Sequence, residues 1–403
     1  MAREMKDSGI AWIGEIPREW KVSKLKYFVD CFDGRRVPVD AALRKSGPYP
    51  YWGAGSIMDY VDNYIFDEEL VLLGEDGAPF FDYTRPVAFY INEKVWVNNH
   101  IHVLKPHHNV TTQYLVHYLN NVDYKTYING SILNKLTQSN MNNITMLVPP
   151  LAEQRRIADF LDAECARIDA VIEKTRASIE EYKKLKQSVI TQAVTKGIRP
   201  GRKMKDSGIE WIGEIASDFE LKRVKHVCEI LDQYRSPITA DQRNQDADIL
   251  YDYYGASGAI DKIDGYTIDD HVMLIGEDGA NLKMRNLPLM YEVNGKAWIN
   301  NHAHILKPRK NVDFSYLFYT LESLDINPYI TGAAQPKLSQ DNLKNIWLPV
   351  PTYSEQAEIS QYLKGKIPEI DSIIGRKNQF LVELEDYKKS LIFEYVTGKK
   401  EVG

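Results

Sequence analysis

The chain is poor in cysteine: Cys31, Cys165 and Cys228 are the only three, and no two of them form a CxxC pair. A disulfide framework and a zinc knuckle are therefore excluded, and the three are expected to be buried apolar thiols. No run approaches the roughly 18 apolar residues that a membrane span needs. The first residues, MAREMKDSG, lack the apolar stretch of a secretory signal, which points to a cytoplasmic protein. There is no GxxxxGK[ST] loop, so ATP chemistry would have to come from another chain. The [DN]PP[YF] tetrapeptide of an amino-methyltransferase is missing too, since Asn327-Pro328-Tyr329 lacks the second proline. Positive charge is not in excess either. With 50 Lys and Arg against 56 Asp and Glu the net charge is −6, so any contact with nucleic acid must use local basic surface.

One further absence organises the chain. From Glu153 to Gly197 there is no proline, and no glycine before the last residue, so nothing interrupts a helix. At 1.5 Å per residue that helix would run roughly 65 Å, too long to pack inside one ordinary domain. Its positions Leu161, Cys165, Ile168, Ile172, Thr175, Ile179, Tyr182, Val189 and Ala193 alternate steps of three and four and skip only Lys186. This is a heptad seam, and a seam needs a partner. A shift of 202 residues yields Leu363, Ile367, Ile370, Ile374, Lys377, Leu381, Leu384, Leu391 and Tyr395, with the skipped lysine returning as Lys388. Two matching seams predict an intramolecular coiled coil. Pro368, near Gly365, is expected to kink or restart the second helix, whose regular part would begin near Glu369.

The duplication extends to the rest of the chain. MKDSGIAWIGEIPREW at Met5 returns as MKDSGIEWIGEIASDF at Met204, an offset of 199. GEDGA at Gly74 returns at Gly276 and NNHIHVLKP at Asn98 as NNHAHILKP at Asn300, both offset by 202, so the second copy carries three extra residues between Pro237 and Tyr253. KLTQSNM at Lys135 and VPPLAEQ at Val148 return as KLSQDNL at Lys337 and VPTYSEQ at Val350. The chain is two copies of one unit, each a globular part followed by a long helix: residues 1–152, 153–199, 200–354 and 355–403. Within the globular parts, short β-like runs such as Glu69 to Leu73 and Val87 to Ile91 alternate with glycine turns and one helical stretch, Thr112 to Asn120. This is an α+β pattern built on a largely antiparallel sheet. The copies diverge at Phe80 to Arg85 against Leu282 to Leu287, and at Ala41 to Pro50 against Ala240 to Asp252, as though one scaffold carried two loop sets.

The unit WIGEIP, GEDGA, NNHxHxLKP, KLxQxN and EQ, ending in a long helix with VTKG or VTGK, closely resembles the DNA specificity subunit of type I restriction-modification enzymes over nearly the whole chain. The resemblance implies two tandem α/β target recognition domains, each followed by a long helix, with the two helices paired as an antiparallel coiled coil. It implies a non-catalytic chain in which each domain reads one half of a bipartite, asymmetric site on double-stranded DNA. The coiled coil would serve as spacer ruler and as docking surface for two methyltransferase subunits, with motor-nuclease subunits added. No cofactor is expected on this chain; S-adenosylmethionine, magnesium and ATP would sit on the partners. Mechanics agree, because a paired helical rod holds one distance and one rotational phase on a duplex, whereas a flexible linker does not.

Candidate DNA-binding residues follow from side-chain chemistry. Arg36 and Arg235, in matching RxP turns, suit guanine or phosphate. Asn134 with Lys135, and Gln335 with Lys337, lie before the strand leading to each helix, and Asn and Gln pair with adenine edges. Leu133 stands where the second copy has Gln335, so the two loops cannot read bases identically. Arg85, Lys283 and Arg285 fall in the divergent loop and are placed to discriminate sequence, whereas the shared Lys105 and Lys307 suit phosphate. The rival reading is a metal-dependent endonuclease. On a strand, His100 and His102 would point the same way and could ligate a metal with Glu75 or Asp76, repeated as His302, His304, Glu277 and Asp278. The reading set against it is that these histidines hydrogen-bond the strand frame, and it fits the resemblance better, since that family places no metal here.

Overall fold

The computed structural model describes residues 3–128, 134–210, 212–243 and 247–402. Packing divides the chain into two compact units, one of Met1–Ala177 with Lys377–Gly403 and the other of Ser178–Arg376. This grouping crosses the linear order of domain and helix. Each unit holds one globular domain, the first part of the helix that follows it and the last part of the other helix. Among the described residues no helix is long and apolar enough to cross a membrane.

In the first unit the central strand Leu70–Gly74 is buried at every position, as its unbroken apolar run LVLLG requires. It lies between Ile101–Pro106 and Ala88–Ile91, with Val29–Cys31 at the far edge, all antiparallel. A second sheet orders Ile57–Val61, Ser46–Trp52, Lys94–Val97 and Phe66–Asp67. The second unit repeats the arrangement, but there the unbroken hairpin of Ile268–Gly276 with Met290–Ile299 merges the strands into one six-stranded sheet. The antiparallel expectation holds with one exception per copy. Tyr51 and Trp52 pair in parallel with Trp96 and Val97, as Tyr253 and Tyr254 do with Trp298 and Ile299.

The first long helix spans Leu151–Lys196 and the second Tyr353–Val396. The first starts directly after Pro150 and the second two residues past Pro351, and each is fastened there by a buried glutamine. Gln154 accepts from the Thr111 amide at 2.9 Å and donates to the carbonyls of Pro149 and Asn109, while Gln356 accepts from the Asp313 amide and donates to Pro351. Both end at glycines in the left-handed region, Gly197 (φ +73°) and Gly398 (φ +72°), the usual stop for a helix C-terminus. Pro368 does not break the second helix, contrary to the sequence expectation. It lies on the exposed flank, where water can satisfy the Lys364 carbonyl that it deprives of a donor, while Ile367 and Ile370 on the opposite side are buried.

Helix pairing is visible within each unit. In the first, Asp169 meets Lys388 at 2.7 Å and Arg176 meets Glu385 at 3.2 Å, so one helix ascends as the other descends. Leu161, Ile168 and Ile172 join Leu391 and Val396 in the domain core, with Leu381, Leu384 and Tyr395 packed against it. In the second, Ile190, Ala193 and Val194 pack with Ile359, Leu363 and Ile367, and Lys186 meets Asp371 at 2.7 Å. The two lysines that interrupt the seams thus cross to a carboxylate on the opposing helix. Helix ends dock on the domains in matching ways. The buried Tyr114 hydroxyl donates to the carbonyls of Leu147 and Val396, and Tyr316 donates to Pro349 and Val194.

Candidate nucleic-acid interface

In each domain the glycine turns and polar loops converge on one edge. In the first, the Asn98 amide donates to the Trp52 carbonyl, the Glu75 amide to His100, the Gly77 amide to Asn134 and the Leu136 amide to Glu75. Gly74 is required here, because a Cβ at this position would lie 2.3 Å from the Ala78 side chain and 2.8 Å from the Ala54 carbonyl; Gly276 faces Ala256 in the same way. Four loops separated by up to 82 residues, Gly53 to Ser56, Glu75 to Arg85, Asn98 to His100 and Asn134 to Lys135, are thereby laced side by side.

A charged network stiffens this edge. His102, fully buried, donates from Nε2 to the Leu136 carbonyl at 2.8 Å and holds Nδ1 against the Asp33 carboxylate at 2.6 Å. Asp33 also accepts from the Val103 amide at 2.9 Å. Arg36 bonds Glu75 at 2.6 Å, approaches Asp33 at 3.4 Å and donates to the Ile101 carbonyl. Lys135 reaches Asp76 at 3.0 Å and Glu75 at 3.3 Å, and His100 lies 3.4 Å from Asp76. The second domain repeats the network with Asp232, Arg235, Glu277, Asp278, His302, His304 and Lys337. Burial opposes ionisation of Asp33 and Asp232, yet hydrogen bonds from His102 and His304 hold both carboxyls below their ordinary range. Burial likewise opposes the ionisation of Asp76, which Lys135 and His100 outweigh, and the Asp76 hydrogen bond pushes the Lys135 ammonium up.

The sequence-predicted residues separate into two groups. Arg36 and Arg235 are largely enclosed, their guanidinium groups bound to carboxylates and carbonyls of the frame. Arg285 sits in the left-handed region (φ 53°) and donates to the Glu322 carbonyl, closing the end of the domain helix Phe314–Ser323. Lys105 pairs with Glu68 at 2.5 Å, and Lys307 with Asp270. Lys135, Lys337 and Gln335 are exposed on the edge loops and Arg85 and Lys283 on the loop that leaves the edge, while Asn134 is half-buried with its carbonyl bound by Gly77. Arg85 lines a cavity against the helix pair that includes Asp169, Glu173 and Glu385. Leu133, the first-copy counterpart of Gln335, lies outside the described residues.

Sequence reasoning passed over Asp33 and Asp232. The signal was present, since an aspartate precedes the RxP arginine by three residues in both copies, as DGRR and DQYR. The metal reading does not assemble: His100 stays at the surface beside Asp76 while His102 turns inward, with both ring nitrogens already engaged. Among the described residues, Cys31, Asp33 and His102 bring donor atoms within 4.8 Å of one another, but Arg36 already occupies the same carboxylate. In the second copy Ile230 pairs with Leu306, as Cys31 does with Leu104, so the same Asp–His pair persists without the thiol.

Residues 17–181 and 216–380 each match the family model described as a type I restriction modification DNA specificity domain. Similar curated proteins include a putative type I restriction enzyme specificity subunit of Haemophilus influenzae, 35% identical over 145 residues, which covers 36% of this chain and 37% of that protein. The type I restriction enzyme MjaVIII specificity subunit of Methanocaldococcus jannaschii is 22% identical over 414 residues, 96% of this chain and 94% of that one. A solved chain from work on complex assembly and conformational transition of the type I R-M system superposes with a TM-score of 0.70 at 14% identity, over 96% of this chain and 99% of the other, a likeness of fold.

Proposed function

The chain belongs to the type I restriction modification DNA specificity family, and from that premise we propose that it reads one half of a bipartite duplex site with each of its two domains. The observation that carries this reading is the duplicated loop edge, in which the stiffening network is the same in both copies and the exposed loop beside it differs. A rigid shared frame with unlike loops suits two half-sites of unlike sequence, because base-edge contacts specify while common contacts position. Lys135 and Lys337 are the candidate phosphate contacts and Lys283 and Gln335 the candidate readers of bases, while Arg85 faces the cavity beside the helix pair. Arg36, Arg235, Arg285, Lys105 and Lys307 act behind them as supports.

In this reading catalysis belongs to other chains. Two methyltransferase subunits would bring S-adenosylmethionine, and motor-nuclease subunits would bring magnesium and ATP. The paired helices, which contribute to both units, would be the spacer and the surface on which methyltransferase subunits dock. Methylation mapping in cells that express this chain with its partners tests the proposal, and one asymmetric bipartite motif with a fixed gap is the expected result. Removing seven residues from each helix should shorten the gap and leave both half-sites unchanged. A wild-type map with no bipartite motif would remove the reading, and an unaltered gap would remove the spacer.

A further inference from the structure

Phe80 and Leu282 occupy equivalent positions and are buried at 2% and 3% exposure, each in the core of its own domain, with Phe80 against Tyr124 at 4.9 Å. They pin the loop that leaves the edge. Beyond the pin the copies differ at every position, Phe81-Asp82-Tyr83-Thr84-Arg85 against Lys283-Met284-Arg285-Asn286-Leu287.

Five of these ten side chains are already committed. Asp82 accepts from the hydroxyl and amide of Thr84 at 2.6 and 3.1 Å. Tyr83 lies beneath the Lys389 ammonium at 3.9 Å. Arg285 closes the domain helix and Arg85 lines a cavity that faces the long helices, whereas Met284 and Leu287 are 64% and 49% exposed. Only at the first position is neither copy committed. Phe81 is 44% exposed and Lys283 is exposed, and among the described residues neither side chain has a hydrogen bond, ion pair or ring contact. A ring and an ammonium with no partner inside the chain, at equivalent positions of the divergent loop, are both free to make a contact outside it. Gly55, in the turn at the interface edge, lies against Pro79, two residues before Phe81, so the loop departs from that edge.

Resting on the DNA-reading function above, we propose that Phe81 and Lys283 are equivalent specificity-determining residues, each contacting a base edge in its own half-site: Phe81 an apolar thymine methyl, Lys283 the O6 and N7 acceptors of guanine. The shared pin sets the depth of the loop, and the next side chain sets the base. The two contacts differ in chemistry because an aromatic ring has no donor for guanine and an ammonium has no affinity for a methyl group.

The test is selection of the full-length chain, with its methyltransferase partners, on a randomised duplex library, comparing wild type with Phe81→Lys and Lys283→Phe. Phe81→Lys should change the preferred base at a position of the first half-site by roughly 5- to 150-fold, the range of one base contact, with the second half-site unchanged. Lys283→Phe should do the converse. Replacing the contacted thymine by deoxyuridine should weaken the wild type and leave Phe81→Lys indifferent. Unchanged preferences in both variants would overturn the assignment, as would an equal loss of affinity for all sequences. Phe81→Ala, which deletes the ring without adding charge, distinguishes a lost base preference from a charge effect. If the wild type itself enriches no bipartite sequence, the proposed function fails on its own, separately from this assignment.

Discussion

Asp33→Ala is expected to destabilise the first unit by about 3 kcal/mol. The carboxylate takes the Nδ1 side of the buried His102 at 2.6 Å and the Val103 amide at 2.9 Å, and lies 3.4 Å from Arg36. Its removal strands a buried ring nitrogen and a backbone amide, and leaves Arg36 with Glu75 and the carbonyls. Loss of one member of a buried ion pair costs about 3–5 kcal/mol, and a stranded buried donor about 1–3. The two figures describe the same lost oxygens and do not add, and 10% of the Asp33 side chain still sees solvent, which selects the low end. Urea denaturation of the full chain, followed by aromatic fluorescence, measures the loss, with Asp232→Ala as the matched change in the second domain. The pH dependence has a definite sign. Because the folded carboxyl titrates below its ordinary range, its contribution is fully present above about pH 4, the unfolded value, and is lost as pH falls through the lowered folded value. The gap between wild type and variant should therefore be constant from pH 5 to 7 and shrink in acid. A loss under about 1 kcal/mol at pH 7, or one that grows in acid, would show that the network does not brace the interface edge.

Two other substitutions test electrostatics elsewhere. Burial pushes the Glu322 carboxyl up, despite hydrogen bonds from the Leu289 and Met290 amides and the nearby Arg285, while in the first domain the neutral Asn120 accepts from Val87 and Ala88 in the same role. Ionising Glu322 opposes folding once pH rises through its raised value, so Glu322→Gln should leave thermal stability unchanged at pH 4 and raise it at pH 8, by at most about 1 kcal/mol; a lower Tm at pH 8 contradicts this. Lys388→Leu would make the seam continuous between Leu384 and Leu391, and because the Lys388–Asp169 pair is partly solvated, the change in stability should stay within about 1 kcal/mol in either direction. A loss above 2 kcal/mol by calorimetry would show that the cross-helix pair, rather than the apolar seam, holds the helices together.

The order of the chain by itself determined the duplication, the two long helices and the alternation of apolar positions along them. Each of these is a periodicity, and a periodicity is carried by neighbours in sequence. It also determined which loops differ between the copies. It did not determine which polar side chains face outward. Arg36 read as an exposed candidate, yet it finds Glu75 39 residues away and became frame, while His102 serves the frame as its sequence context allowed, through Asp33 69 residues away. Pro368 read as a kink or restart because proline removes a donor, but only packing put the orphaned carbonyl on the wet side of one continuous helix. The regrouping of helix ends with domains was likewise decided in three dimensions, since Val396 meets Tyr114 across 282 residues of chain. A residue's own chemistry states what it needs, and only the folded chain states what stands opposite to supply it.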